Sequence, residues 1–212
     1  MSLLKRAAAN FALICGGIIA ALVIIEIGLW AANYWFPYFF SYDVHRGWGL
    51  EAGSHGHYDR EGNSYVRINA EGFRGPARAK AKPPNVFRVA VLGDSYTEAI
   101  QVPYRDTFCA IIQRRLSECP ELKGKKIEVL DFGVDGYGTA QELITLREKT
   151  WSYSPDAVVL AVFLGNDVRN NSVVLEGDQC RPFYVLKNGE LALAGRFVNS
   201  SSFRLWCMAR FG

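Results

Sequence analysis

The sequence has few of the residues that build metal or nucleic-acid sites. It contains three histidines, all before residue 58, and no two of its five cysteines form a CxxC pair. Without Cys/His clusters at ligand spacing, it predicts neither a metal site nor a metal cofactor. The net charge is only +3, and the basic stretch between Arg74 and Lys82 has no interleaved aromatic platform. We therefore expect no nucleic-acid partner.

The first forty residues predict a membrane partner. An apolar run spans Phe11 to Trp30, and a helix of this length is about 30 Å long, which matches a bilayer core. Lys5 and Arg6 precede the run, which predicts a cytoplasmic N-terminus over residues 1–10, an anchor over 11–32 and the remainder outside. An interfacial aromatic belt follows: Trp30, Tyr34, Trp35, Phe36, Tyr38, Phe39 and Phe40.

Two features bear on this anchor. Glu26 lies within the run and costs about 2.5–3.5 kcal/mol at mid-bilayer, but it is near the outer end and the surrounding apolar residues outweigh it. Ala31-Ala32-Asn33 resembles a weak cleavage site, so a cleaved signal peptide is the alternative. The run is longer than a usual signal core, and we favour an uncleaved single-pass anchor in the cell membrane.

The cysteines fit an extracytoplasmic location. Cys109 and Cys119 flank a predicted helix and would be about 15 Å apart, too far for a disulfide. Cys180 and Cys207 remain a candidate pair in an oxidising compartment. We expect Cys109 to be a buried structural thiol.

Hydrophobic patterning divides the rest of the chain at residue 86. Residues 33–85 are expected to form an extracytoplasmic juxtamembrane segment that contains a strand at Ser64–Asn69 and ends in a proline-rich linker, Pro76–Pro84. From residue 86 to 212, strands alternate with helices, which predicts an α/β domain with a parallel sheet. The predicted elements are strands Val86–Leu92, Lys126–Phe132 and Asp156–Leu164, helices Thr107–Leu116 and Thr139–Glu148, and a hairpin at Phe183–Leu193.

Reactive residues follow each of the three strands. Ser95 ends the first loop, Gly136 lies in the second, and Asn166 lies in the third. Because ligands bind at the carboxyl ends of parallel strands, we expect these loops to form one site. Ser95 would act as a nucleophile, and its own N–H, the Gly136 N–H and the Asn166 amide would stabilise an oxyanion.

Two other readings of these loops fail. Gly133-x-x-Gly136-x-Gly138 reverses the order of a dinucleotide-binding loop and follows the second strand of the domain, so no dinucleotide cofactor is expected. Thr97 stands where the G-x-S-x-G elbow needs glycine, so the domain is not an ordinary α/β-hydrolase.

Three segments resemble the first three blocks of the SGNH, or GDSL-type, hydrolases: LGDSYTEA, DFGVDGYGTAQEL and FLGNDVRNN. RINAEGFRG is similar to the segment that precedes this domain in membrane-anchored bacterial members. The resemblance implies a three-layer α/β/α fold of flavodoxin-like type and a membrane-anchored esterase or deacylase without a cofactor. Its substrates would be extracytoplasmic acyl esters of small molecules, glycans or lipids. It also implies a set of roles: Ser95 as nucleophile, Gly136 and Asn166 as oxyanion hole, and Asp94 and Asp167 as supporting residues.

The family's late Asp-x-x-His block, which supplies the base, has no counterpart here, because no histidine follows Ser95. We therefore expect the chain to be an N-terminal part of the domain. It would be inactive alone and would leave one edge of the sheet unpaired. One of His45, His55 and His57 replacing the base is an alternative. Another is a non-catalytic binding module or pseudoenzyme.

Overall fold

The computed structural model describes residues 3–31 and 39–210. The chain forms two compact units, Met1–Phe36 and Pro37–Gly212. Most of the predicted aromatic belt, and the Ala32-Asn33 part of the alternative cleavage site, lie outside the described residues.

The described residues of the first unit form the helix α1 (Leu3–Ala31). Its segment Lys5–Leu29 has a mean hydropathy of 2.5, so the helix is long and apolar enough to cross a membrane or to be a signal sequence. The helix begins before the predicted anchor, because Lys5 and Arg6 continue the helical backbone rather than precede it.

The second unit combines short helices with strands. Its strands are β1 (Phe40–Asp43), β2 (Gly47–Leu50), β3 (His55–Tyr58), β4 (Ser64–Arg67), β5 (Val86–Gly93), β6 (Lys126–Gly133), β7 (Ala157–Ala161), β8 (Phe183–Lys187) and β9 (Glu190–Ala194). Its helices are α2 (Ser95–Glu98), α3 (Phe108–Ser117), α4 (Thr139–Glu148), α5 (Asp167–Asn170), α6 (Arg196–Asn199) and α7 (Ser201–Met208).

The predicted parallel sheet is present, with strand order β6-β5-β7. Gly93 at the end of β5 pairs with Gly133 of β6 and with Ala161 of β7. The carboxyl ends of the three strands are therefore aligned, and the α/β class is confirmed.

Helices cover this sheet on opposite faces. Val89 and Val91 of β5 pack in a cluster with Cys109 of α3. Their neighbours on the strand, Ala90 and Leu92, pack in another cluster that includes Leu146 of α4. Alternation along one strand thus directs each face to a different helix.

The third strand is shorter than we predicted, and its apolar side chains are partly exposed. It ends at Ala161 rather than Leu164, and Val159 and Leu160 are 40% and 48% exposed. These apolar side chains stay partly exposed because β7 pairs only with β5 in the described part of the chain. The ladder stops where the Phe163 N–H donates instead to the Asp167 carboxylate, 2.7 Å away.

Residues 39–75, expected to be a juxtamembrane segment, pack against the sheet domain. They form two antiparallel hairpins, β1–β2 and β3–β4, and a cluster with residues of the loops that follow β5 and β6. Residues 76–84 contain no helix or strand, as the linker prediction implies. The boundary expected at residue 86 does not separate two compact units. The buried members of that cluster are Phe39, Trp48, Leu50, Val66, Ile68, Ile100, Val134 and Tyr137.

Arg74 fixes this segment to the sheet domain. Its guanidinium is buried and donates to the backbone carbonyls of Glu98, Ala99 and Val102. These carbonyls lie at and just after the end of α2, where a helix leaves acceptors unsatisfied.

The C-terminal part of the unit has a hairpin and a disulfide. Asn188 and Gly189 both adopt positive φ, at 55° and 83°, as a two-residue turn requires, so the predicted hairpin is confirmed. The candidate pair Cys180 and Cys207 forms a disulfide, and Cys109 is a buried free thiol, as expected.

Candidate functional site

Two glycines allow α2 to sit directly over the aligned strand ends. A β-carbon on Gly93 would collide with the Thr97 side chain, and one on Gly133 would collide with the backbone of Thr97 and Glu98. Any side chain at either position would push α2 away from the sheet. Glycine at these strand ends therefore sets the position of Ser95, the first residue of α2.

Ser95 is partly exposed, and within the described part of the chain its hydroxyl makes no hydrogen bond. The preceding residue, Asp94, is buried and caps α2, accepting a 3.0 Å hydrogen bond from the Tyr96 N–H. A capping carboxylate satisfies one of the free N–H groups of a helix start. The cap thus fixes the backbone on either side of Ser95 while leaving its Oγ accessible.

Asn166 contacts the loop that carries Ser95. Its side-chain Nδ2 donates a 2.9 Å hydrogen bond to Asp94 Oδ2. An amide nitrogen carries two donor hydrogens, so this bond leaves one of them for another acceptor. The structure therefore joins the first and third loops, as the sequence predicts.

Asp167 and Asn170 hold the third loop in place. Asp167 Oδ2 accepts the Phe163 N–H, and Asn170 Nδ2 donates to the Gly136 carbonyl at 3.3 Å. Burial raises the pKa of Asp167, the Phe163 hydrogen bond opposes this shift, and the charge of Asp94 adds to it. Asp167 thus shapes its own loop, and Asn170 links that loop to the second one.

Gly136 has a φ of 72°, which favours glycine. Partial desolvation and the charges of Asp94 and Glu61 raise the pKa of the neighbouring Asp135, and the nearby Gly136 N–H opposes this shift. A β-carbon on Gly136 would lie 3.4 Å from Trp48 Cζ2 and 3.9 Å from Arg181 Nη2. A residue with a side chain here would therefore strain the backbone, and its β-carbon would lie in van der Waals contact with Trp48.

The three histidines make their contacts away from Ser95. His45 Nδ1 lies 2.9 Å from Glu148 Oε1. His55 and His57 pack against Tyr65, with ring centroids 6.2 and 5.1 Å from it. None of them has a hydrogen bond or ion pair to Ser95. The alternative in which one replaces the missing base gains no support from these contacts.

Two buried carboxyl groups near the site were not predicted. Glu98 Oε2 accepts the Asp135 N–H at 2.5 Å, and burial raises the pKa of Glu98 well above its usual value. Glu142 is buried, and neither carboxyl oxygen has a partner in the described residues. Burial, followed by the charges of Asp167 and Asp94, raises the pKa of Glu142 to about 8. Both lie inside the motif segments TEA and AQEL, whose acidic residues were the available signal.

A cavity of about 250 Å³ lies beside the β1–β2 hairpin, and its lining includes Arg46, Tyr137 and Lys149. Burial lowers the pKa of Lys149 to about 8. Neither Ser95 nor Asn166 lines this cavity, so we do not assign it to the site.

The described residues contain no cluster of three or more His, Cys, Asp or Glu that could hold a metal ion. Comparison with known protein families and with curated proteins finds no match to the chain. The arrangement of the residues must therefore carry any proposal about function.

Proposed function

We propose that the second unit is part of a serine ester hydrolase of SGNH type, with Ser95 as its nucleophile. The hydrogen bond from Asn166 to Asp94 carries the proposal, because it brings an amide donor to the residue next to Ser95. The helices on opposite faces of the sheet support the three-layer α/β/α arrangement that such a fold requires.

The chemistry follows from these groups. The Ser95 Oγ attacks the acyl carbonyl carbon while a base accepts its proton, and the carbonyl oxygen becomes an oxyanion. The oxyanion accepts hydrogen bonds from the N–H groups of Ser95 and Gly136 and from the free hydrogen of Asn166. The alcohol leaves with a proton, and water then releases the acid from Ser95. Loss of one oxyanion donor typically costs about 10²–10³ in rate.

The substrates we propose are acyl esters of small molecules, glycans or lipids outside the cytoplasm. Helix α1 would anchor the protein in the cell membrane, with Lys5 and Arg6 on the cytoplasmic side. The disulfide between Cys180 and Cys207 supports an oxidising compartment for the second unit.

Because no described group bonds to the Ser95 hydroxyl, the test supplies a base. The full chain is incubated in detergent with a fluorophosphonate, with and without imidazole, and modified peptides are identified by mass spectrometry. Imidazole can accept the Ser95 proton while fluoride leaves phosphorus. We expect imidazole to accelerate modification at Ser95 by about tenfold or more, as general-base catalysis allows.

Ser95→Ala should abolish this modification, and Ser117→Ala, which removes an exposed serine of α3, should not change it. A modification rate of Ser95 that does not change with imidazole would contradict the proposal. So would modification of another residue of Ser95→Ala at the wild-type rate. An unreactive Ser95 in a chain that still binds esters would favour a non-catalytic binding module.

A further inference from the structure

Arg181 is a buried cation whose guanidinium has no hydrogen-bonding or ionic partner in the described part of the chain. The residue is 4% exposed, and its side chain makes no hydrogen bond or ion pair with any residue that the structure describes. Nε and Nη1 are fully enclosed without an acceptor, whereas Nη2, which also lacks one, retains contact with solvent. Buried charged groups are normally paired, since desolvation without compensation costs several kcal/mol.

The position of Arg181 connects it to the proposed oxyanion hole. Its guanidinium stacks on Trp48, with the central carbon 4.8 Å from the ring centroid. Trp48 Nε1 in turn donates to the Asp135 carbonyl at 2.9 Å, at the residue before Gly136. Nη2 lies 3.9 Å from where a β-carbon of Gly136 would be. The accessible nitrogen therefore borders the loop that holds the Gly136 N–H.

The acidic groups around Arg181 act on it through space and do not pair with it. They are Glu176, Asp178 and Asp135, and Arg169 opposes them. Glu176 lies 3.6 Å from Arg169, and Asp178 accepts hydrogen bonds from Arg210 at 3.0 and 3.2 Å. Two of the three acids thus have basic partners of their own.

Asp135 is the remaining acid, and it is exposed on the same loop as Gly136. It acts on Arg181 through its charge, and the two residues form no ion pair in the described part of the chain. An anion that approaches Nη2 would be repelled by Asp135 and attracted by Arg181. Arg181 should therefore strengthen anion binding, and Asp135 should weaken it.

We propose that Arg181 binds an anionic group, a carboxylate or phosphate, on the substrate whose ester is attacked by Ser95. This inference rests on the proposed function and narrows its substrate class to esters that carry a negative charge near the acyl group. A guanidinium is suited to this role because it stays charged and presents planar N–H donors to oxyanions. Trp48 stacks on the guanidinium, and the neighbouring residue, Cys180, is held by the disulfide to Cys207.

A purely structural role for Arg181, as a cation–π partner of Trp48, predicts different behaviour. Losing that contact would lower stability and weaken neutral and charged ligands alike. Arg181→Met keeps an apolar stem of similar length without the charge, and Arg181→Lys keeps the charge without the planar fork. Comparing charged with uncharged ligands separates the two roles.

The test measures equilibrium binding to the full chain in detergent by calorimetry at low and high salt. Glucuronate represents a carboxylate on a glycan, glycerol 3-phosphate represents a lipid headgroup, and glucose is the uncharged control. We expect one of the anions to bind at least tenfold more tightly than glucose, and the anion that binds identifies the source. Salt should weaken this binding.

Arg181→Met should remove the preference for the anion, Arg181→Lys should retain part of it, and Asp135→Asn should strengthen it. Equal binding of all three ligands to the wild type, or an unchanged preference in Arg181→Met, would overturn the proposal. If Arg181→Met does not fold, the proposal would be overturned by an Asp135→Asn variant that binds the anion no more tightly than the wild type. Ser95→Ala should bind the anion normally, so this result is independent of whether Ser95 is a nucleophile.

Discussion

Asn166 and Asp94 are 72 residues apart in the chain, and their side chains share a 2.9 Å hydrogen bond. Asp94 follows β5, and Asn166 lies in the loop after β7, which pairs directly with β5. The same carboxylate also caps α2. One buried side chain therefore determines both the start of the helix that carries Ser95 and the orientation of the amide beside it.

Replacing Asp94 should separate these two roles. Asp94→Ala removes the cap, worth about 1 kcal/mol, and leaves the Asn166 amide without its acceptor. We expect the free energy of unfolding to fall by about 1–3 kcal/mol in urea denaturation. Asp94→Asn keeps an oxygen for the Tyr96 N–H but turns a second amide donor toward Asn166.

Asp94→Asn should therefore be more stable than Asp94→Ala, yet both should slow the imidazole-dependent modification of Ser95. Wild-type modification in Asp94→Asn would show that the contact with Asn166 is unimportant for the site.

Stability should depend on pH through Glu142. Its folded pKa of about 8 lies above the ordinary value of 4.5, so the folded chain holds this proton over a range where the unfolded chain releases it. This contribution is complete below pH 4.5 and is lost as pH rises to 8, at up to about 1.4 kcal/mol per pH unit.

Glu142→Gln should be more stable than the wild type at pH 8, and the difference should vanish near pH 4.5. Thermal melts across this range measure it, with the exposed Glu118→Gln as a control that should not alter the pH dependence. Parallel pH curves for Glu142→Gln and the wild type would rule out the raised pKa.

The disulfide should contribute substantially to stability. It links Cys180 to Cys207 across a sequence separation of 27, and closing a loop of that size is worth about 3–4 kcal/mol in the chain-entropy estimate. The double variant Cys180→Ser and Cys207→Ser should lose about this much in denaturant unfolding. Cys119→Ser removes a free cysteine and should not change stability. Reduced wild type should unfold like the double variant, and a reductant effect on the double variant itself would refute this explanation.

The free side of β7 should promote self-association. In the described part of the chain this strand pairs only with β5, and Leu160 is 48% exposed on it. Unpaired strand edges with apolar side chains favour aggregation, and lysine at an edge opposes it. Leu160→Lys should reduce concentration-dependent association in sedimentation velocity. Val168→Lys, at a 65% exposed position on α5, should have little effect, and equal effects of both variants would argue against pairing at the edge.

The parallel sheet could be predicted from the sequence because its strands are short apolar runs, and the segments between them have apolar residues at the spacing of a helix. Helix α4 has the predicted bounds, Thr139–Glu148, and β5 and β6 differ from prediction by one residue. The end of β7 was missed because Val162–Leu164 is as apolar as the strand. The competing bond between Phe163 and Asp167 depends on the fold, which local pattern does not encode.

Only part of the candidate site could be predicted, because sequence pattern places the residues near strand ends but does not show long-range contacts. Ser95 and Asn166 lie in segments that follow the neighbouring strands β5 and β7, so the topology alone brings these segments together. Arg181 and Trp48 belong to segments without regular periodicity, and their contact is a long-range one. A buried arginine also gives no sign in a hydrophobicity pattern, because charged residues are expected on the surface.

The contacts of Arg74 determine which truncated fragments of this protein keep the structure around α2. A fragment that starts at Val86 would keep every strand of the parallel sheet but lose the guanidinium that occupies the carbonyls at the end of α2. It would also uncover Ile100, Val134 and Tyr137, which now pack against Trp48 and its neighbours. A fragment intended to fold on its own should therefore include the two hairpins, because residues that precede the sheet in the chain complete the surroundings of the helix that carries Ser95.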